Sequence, residues 1–427
     1  MQLIVIVNRQ RCLVSVQEMH SCFAIKKRSQ SKRVKLCQSD KPTEFEMHAF
    51  YSVNPIGELY IPEECREAVF ARGSVKLFTN QELEQLSRIF THIQRGGVAI
   101  VEGEWEQIIS VTDYVNRHKR ELSTTGSERG RKGKSRHQRS TPKQNREAAI
   151  SKLMCWADKD GSLQVSPTPE LPYLLELIGE PPNVNEDCPF LVPVVTIQSI
   201  QSALEETYPI DALGVSLVAS KNVLAPRSQE TVACFQEAMQ SLESYALPNR
   251  PVIADVGCGS GCLTLLAHQE FGENAVIYAS DILSEAIATT RINVQHLLPL
   301  SKNRGAENIH VMPAGDLFAP FTSQQFDVVI FNAPWVVARV RNRSELAIHD
   351  EKQQTLRRFF EQVPNYLKPD GTILLGYADA SGPKAISNLE TIIADSGFTY
   401  SNIIKRRVAT HRSKRKWEHI QVYVLSK

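Results

Sequence analysis

The chain holds 427 residues, 42% of them hydrophobic and 22% charged, with a net charge of +2 at pH 7. That balance excludes fibrous and wholly disordered chains, and the length asks for two domains or more. No window approaches membrane-spanning length, and the nine cysteines include no Cys-x-x-Cys pair. The composition therefore argues against a membrane span, a disulfide framework or a metal site, and reads as cytoplasmic.

Residues 1–46 read as a basic extension, with eight Lys/Arg against one acid, Glu18, before residue 40. It is either a transit-like segment or a dispensable start upstream of Met47. Residues 47–116 read as a small folded unit. Thr79 and Glu82 are spaced as a capping box. Leu83, Leu86, Phe90 and Ile93 then share a helix face that Gly96-Gly97 ends, and VAIVEGEW (98–105) follows as a strand.

Residues 117–147 hold almost nothing apolar to bury, and 117–146 carry eleven Lys/Arg against two acids. A disordered linker is expected there. It is either a solvated spacer or an arm that contacts nucleic acid through its charge. Residues 148–210 are Pro-rich and irregular and read as a connecting region.

From 211 to 427 the pattern becomes orderly. PVIADVG, AVIYASD, NIHVMPAGD, FDVVIFN and GTILLGY are strand-like runs separated by helix-compatible stretches, and SNIIKRRVAT and HIQVYVLSK close as an antiparallel pair. Strands alternating with helices predict an α/β, doubly wound, mostly parallel seven-stranded sheet, beside a smaller amino-terminal α+β region. Ser228 is placed to cap a helix with Val232, Phe235, Met239 and Leu242 on one face. KRRVATHRSKRKWEH (405–419) makes a basic hairpin tip beside Trp417, either a phosphate contact or a charged edge that discourages aggregation.

Chemistry concentrates at the strand ends. PVIADVGCGSG (251–261) runs a buried strand into Gly257, Gly259 and Gly261, which permit a tight turn and close approach of a ligand to the backbone. Asp255 stands before the first glycine, where a carboxylate repels phosphates and suits a cation such as S-adenosylmethionine (SAM). Asp281 at the end of the second strand can accept both hydroxyls of a ribose. Asp316 at the end of the third can take an adenine amino group, with Leu317 beside the ring. Three acids at successive strand ends outline a crevice at a topological switch point.

DVGCGSG, ASDI, AGDLF and NAPW, in this order, resemble the class I SAM-dependent methyltransferases. They resemble in particular the branch with an Asn-Pro-Pro-aromatic tetrapeptide after the fourth strand. That branch includes HemK-type enzymes, which methylate a glutamine side chain of translation release factors, and enzymes acting on exocyclic amines of adenine or guanine. VLAPRSQET (223–231) is similar to the HemK-type Pro-Arg-Pro segment at Pro226 and Arg227, with Ser228 in place of the second proline. The resemblance implies cofactor contacts by Asp255, Gly257, Gly259, Gly261, Asp281, Ile282, Asp316, Leu317 and Asn332. It implies catalytic roles for Asn332, Pro334 and Trp335.

Amide and exocyclic nitrogens are poor nucleophiles because the lone pair is delocalised. The Asn332 side-chain oxygen and the Ala333 carbonyl can accept hydrogen bonds from such an NH2 and orient it for transfer. Pro334 fixes the turn and Trp335 offers a flat face. Ala333 stands where the family has its first proline, keeping the carbonyl and giving up the ring. The expected activity is SAM-dependent methylation of a planar nitrogen, either a protein glutamine amide or an exocyclic amine of an RNA or DNA base, with a protein or RNA of the translation machinery as the expected partner. A small-molecule methyltransferase and an inactive SAM-binding scaffold are the alternatives.

Overall fold

The computed structural model describes residues 75–123, 142–179, 189–242, 247–297, 306–409 and 416–427, with the strands at 2–7, 10–15, 48–53 and 57–62. Gln2–Val7 and Gln10–Ser15 pair antiparallel within a unit of their own, Met1–Phe45. The rest of the chain, Glu46–Lys427, forms the second unit.

The amino-terminal region of that second unit is built on one sheet. Its strands run in the order His48–Val53, Gly57–Pro62, Phe190–Pro193, Leu153–Ala157, Val98–Glu104 and Val75–Thr79, with Val165–Ser166 paired to Val98–Glu104. Residues 148–210, expected as a connector, thus supply strands to the sheet of residues 47–116. LMCWA and FLVP are short apolar runs, and a strand apolar on both faces needs cover on both. The capping box is in place, the Thr79 amide donating to Glu82 at 3.4 Å, and Ile89, Phe90 and Ile93 of Leu86–Gln94 are buried. Helices reach into both ends of the expected linker: Trp105–Arg117 closes at its start and Pro142–Ile150 covers its last residues. Residues 124–141, most of the basic stretch, lie outside the described residues.

A hairpin, Thr207–Ile210 with Val215–Val218, leads into the carboxy-terminal domain. Its elements are α1 (Gln229–Ser241), β1 (Val252–Val256), α2 (Cys262–Phe271), β2 (Val276–Ser280), α3 (Ser284–Leu297), β3 (Ile309–Val311), β4 (Phe326–Asn332), α4 (Gln354–Gln362), β5 (Leu367–Ala378), α5 (Pro383–Asp395), β6 (Thr399–Ala409) and β7 (Trp417–Ser426). The sheet order is β3-β2-β1-β4-β5-β7-β6, seven strands of which only β7 runs antiparallel to its neighbours. Chain order reverses between β1 and β4, so a crevice opens at the carboxyl ends of those strands.

Ser228 caps α1 by accepting from the Thr231 amide at 3.2 Å. Val232, Phe235, Met239 and Leu242 are buried as their spacing predicts. The two regions meet along α3, where Ala288 and Ile292 join the apolar cluster of the amino-terminal sheet. Arg291 binds Glu176 at 2.8 Å at the same junction. Among the described residues no helix is long and apolar enough to cross a membrane.

Candidate active site

The strand β1 carries Asp255 to the crevice. Its carboxyl is buried; Oδ2 accepts from the Thr264 hydroxyl at 2.6 Å, while buried Oδ1 has no partner. Gly257, Gly259 and Gly261 all adopt positive φ, +74°, +57° and +78°. The requirement is doubled at Gly261, the cap of α2, because a Cβ there would stand 2.9 Å from Thr290 Cγ2. The Gly257 and Cys258 amides both donate to the Ser280 carbonyl, at 2.8 and 2.9 Å, which ties the loop to the end of β2.

Asp281 follows directly. Oδ2 accepts from the Gly259 amide at 3.0 Å and Oδ1 from the Leu283 amide at 2.9 Å. A carboxylate offers about four lone-pair sites, so roughly two remain open toward the crevice. Ile282 beside it is 50% exposed, an unusual position for a large apolar side chain.

Asp316 differs from the sequence expectation. β3 ends at Val311, and Asp316 lies five residues on, in a loop folded back over β2 by the Gly315 amide bonding the Asp281 carbonyl at 2.9 Å. Its Oδ2 is taken by Arg358 of α4, so one carboxyl oxygen is left for a ligand. Leu317 is buried with φ +49°, and its carbonyl accepts from Ser280 Oγ at 3.3 Å.

Asn332 ends β4. Val256 pairs with Phe331, which sets Asn332 beside Gly257 at the head of the glycine loop. Its side-chain amide makes no hydrogen bond among the described residues. The Ala333 amide donates to the Gly376 carbonyl at 3.1 Å. A proline there has no N–H for this bond, so the backbone anchor replaces the rigidity that the ring would supply. The Ala333 carbonyl accepts no bond among the described residues, and Pro334 is buried behind it.

Trp335, expected as an exposed platform, is half-buried and packs against two core clusters. Its carbonyl accepts from Ser381 Oγ at 3.1 Å, and that Ser381 Oγ in turn accepts from the Val337 amide at 2.7 Å. Ser381 therefore clamps the turn from the end of β5, a role that no local motif announces. Gly376 has one as well: a Cβ on it would meet Asn332 Oδ1 at 2.7 Å and Phe235 Cζ at 2.6 Å. Gly376→Ala is expected to displace the Asn332 amide and cost roughly a hundredfold in turnover. Stability should fall by about 1–3 kcal/mol from overpacking, and parallel kinetics and urea titration check the two effects.

Arg227 binds Glu206 at 3.1 Å, lies over the Tyr208 ring at 4.9 Å and is largely exposed. Tyr208 is on the 207–218 hairpin and Glu206 immediately precedes it.

A buried carboxyl with one oxygen unpartnered, a tight glycine turn beside it and a half-open second carboxylate suit a ligand with a cationic end and a diol. Residues 249–423 match a family model described as a methyltransferase domain. These residues are a class I SAM-dependent methyltransferase domain. A ribosomal protein uL3 glutamine methyltransferase of Bradyrhizobium diazoefficiens is 27% identical over 38% of this chain and 52% of that protein. A release factor glutamine methyltransferase of Geobacter sulfurreducens is 24% identical over 38% of this chain and 55% of that protein. The human methyltransferase HEMK2 is 27% identical over 35% of this chain and 70% of that protein. The chain thus spans about half the length of the first two relatives.

Burial pushes the Asp255 carboxyl up to about 7, against the Thr264 hydrogen bond, and the nearby Asp281 charge adds to the rise. Burial likewise raises Asp281 to about 6, against the Leu283 and Gly259 amides. Folded values above the unfolded 3.8 mean that these acids favour the ligand-free fold most below about pH 4. That contribution is lost as pH rises through about 6 to 7. A cation in the methyltransferase crevice reverses the trend by favouring the ionised carboxylates. Thermal stabilisation by SAM is therefore expected to be larger at about pH 8 than at about pH 6, as thermal-shift titrations at both values would show.

Proposed function

We propose that the protein methylates the side-chain amide nitrogen of a glutamine in a protein of the translation machinery. One observation carries the reading. At the end of β4 a free side-chain amide and a free carbonyl, Asn332 and Ala333, stand together beside the glycine loop. Two adjacent acceptors match the two N–H groups of a planar NH2.

In this reading Asp255 and the glycine loop hold the amino-acid end of SAM, Asp281 the ribose, and Ile282 and Leu317 flank the adenine. Asp316 offers its remaining oxygen to the adenine amine. SAM, when bound, supplies an electrophilic methyl group. Asn332 Oδ1 and the Ala333 carbonyl accept from the substrate NH2, which turns the nitrogen lone pair out of conjugation and toward the methyl. Pro334 and Ser381 hold the turn, and the accessible edge of Trp335 borders the amide. No strong base is required, because a methylated amide nitrogen that still carries its extra proton is far more acidic than water.

The choice of glutamine over a base rests on the relatives, two of which are named as glutamine methyltransferases of a ribosomal protein and of a release factor. A nucleic-acid base is the second reading, favoured by Arg407 lying 4.3 Å over the exposed Trp417 ring on the basic β6–β7 hairpin. Strong acid hydrolysis separates the two. Label carried into a glutamine amide should be released as methylammonium and become volatile methylamine once the hydrolysate is made alkaline, and label that stays with a nucleobase would refute the glutamine reading.

A further inference from the structure

The segment between Val336 and Asp350 closes on itself at its base. The Val336 amide donates to the Ile348 carbonyl at 2.8 Å, and the Asp350 amide to the Val336 carbonyl at 2.9 Å. Its far end reaches across the domain. Arg343 binds Glu285 through both guanidinium edges, Nε to Oε1 at 3.0 Å and Nη2 to Oε2 at 2.8 Å. Asn222 Nδ2 adds a third bond to Oε1 at 3.2 Å.

Topology turns this pair into a position. The segment leaves the carboxyl end of β4, while Glu285 sits in the first turn of α3, immediately after β2. In the sheet β1 lies between those strands. Residues 337–343 therefore run from one side of β1 to the other at the carboxyl ends of the strands. The span is two strand spacings, about 10 Å, which seven extended residues cover easily.

Two arginines lie on the crossing. Arg339 and Arg341 are exposed, lie two residues apart between the Val336–Ala338 turn and the 3-10 turn at Arg343–Glu345, and have no side-chain partner among the described residues. Glu345 does not neutralise them: it takes the Arg341 main-chain amide at 2.8 Å and lies 3.4 Å from His349. The exposed apolar neighbour is Val337, no Phe, Tyr or Trp lies between Trp335 and Asp350, and the imidazole there, His349, stands against Glu345 at 3.4 Å.

We propose that residues 337–343 form a strap across the mouth of the transfer site, and that Arg339 and Arg341 select acidic side chains flanking the methyl-accepting residue. The proposal rests on the glutamine reading for its substrate class. Two guanidinium forks two residues apart match two carboxylates of a peptide, each able to form a paired hydrogen bond. The Arg343–Glu285 pair fixes where the forks stand.

The test uses the full chain with SAM present. Its probes are a glutamine-centred peptide rich in Asp and Glu and a twin carrying Ser at those positions. Fluorescence anisotropy should show the acidic peptide binding about tenfold tighter, the yield of two rim ion pairs. The double variant Arg339→Gln/Arg341→Gln should lose that advantage and keep its SAM affinity. Equal affinity for the twins, including none for either, or an advantage that survives in the variant, overturns the strap. So does a single-stranded oligonucleotide, in place of the acidic peptide, as the ligand whose affinity the variant loses. The glutamine reading fails differently: the acidic peptide keeps its advantage but its glutamine takes up no methyl. Equal methylation of both twins removes the strap alone.

Discussion

Asn332→Ala is expected to lower methyl transfer at saturating SAM by roughly a hundredfold to a thousandfold, or about 2.7–4 kcal/mol of transition-state stabilisation. The size follows from preorganisation. Asn332 ends a strand that is hydrogen-bonded on both sides, to β1 and to β5. Its amide oxygen rests over Gly376, and the following residue is tied to the Gly376 carbonyl. An acceptor held in this way pays no reorganisation when the substrate amide rehybridises. SAM affinity should move much less, because in the proposed reading the side chain faces the methyl acceptor. In contrast, Asp281→Ala should weaken SAM by about 1–3 kcal/mol, the scale of hydrogen bonds to a charged group. Calorimetry with each folded variant separates the two roles. Near-wild-type turnover in Asn332→Ala would reduce NAPW to an ordinary turn.

The second large effect concerns Arg343 and Glu285. Side-chain exposure is 13% for the arginine and 1% for the glutamate, so removing one partner strands a buried charge. Arg343→Ala is expected to destabilise the domain by about 3–5 kcal/mol. Replacing both, as Arg343→Met with Glu285→Leu, should recover most of that loss, since apolar groups of similar volume carry no desolvation penalty. Urea unfolding of the two variants checks the direction. A single variant as stable as the wild type would show that the pair is solvated and that nothing pins the strap.

What the sequence disclosed and what it hid follow from the range of the interactions. The glycine loop, the helix with Phe235 and Met239 on its buried face, and the alternation of strands with helices are local patterns, and each is found where its spacing places it. Asp316 was legible as an acid near a strand end, but its pairing with Arg358 was not, because the partner lies 42 residues away. Arg343 and Glu285 are 58 residues apart, and no periodicity links them. Ser381 and Gly376 matter only because β5 lies beside β4, a fact of tertiary pairing. In the amino-terminal region the strands at 153–157 and 190–193 are short, and Pro residues and irregular chain separate them. Their membership in one sheet depends on partners far along the chain. Trp335 looked exposed because its neighbours in sequence are small, whereas the clusters that half-bury it come from other strands.

The central claim, that the carboxy-terminal domain methylates a glutamine amide of a protein, is tested most directly by incubating the protein with methyl-labelled SAM and a cell extract. Portions of the product are then treated with protease or RNase, beside a parallel incubation with Asn332→Ala. The expected result is label that protease releases and RNase leaves untouched, a mass increment of one methylene on a glutamine in the labelled peptide, and almost no label with the variant. Label released by RNase, label mapped to another side chain, or undiminished labelling by Asn332→Ala would contradict it.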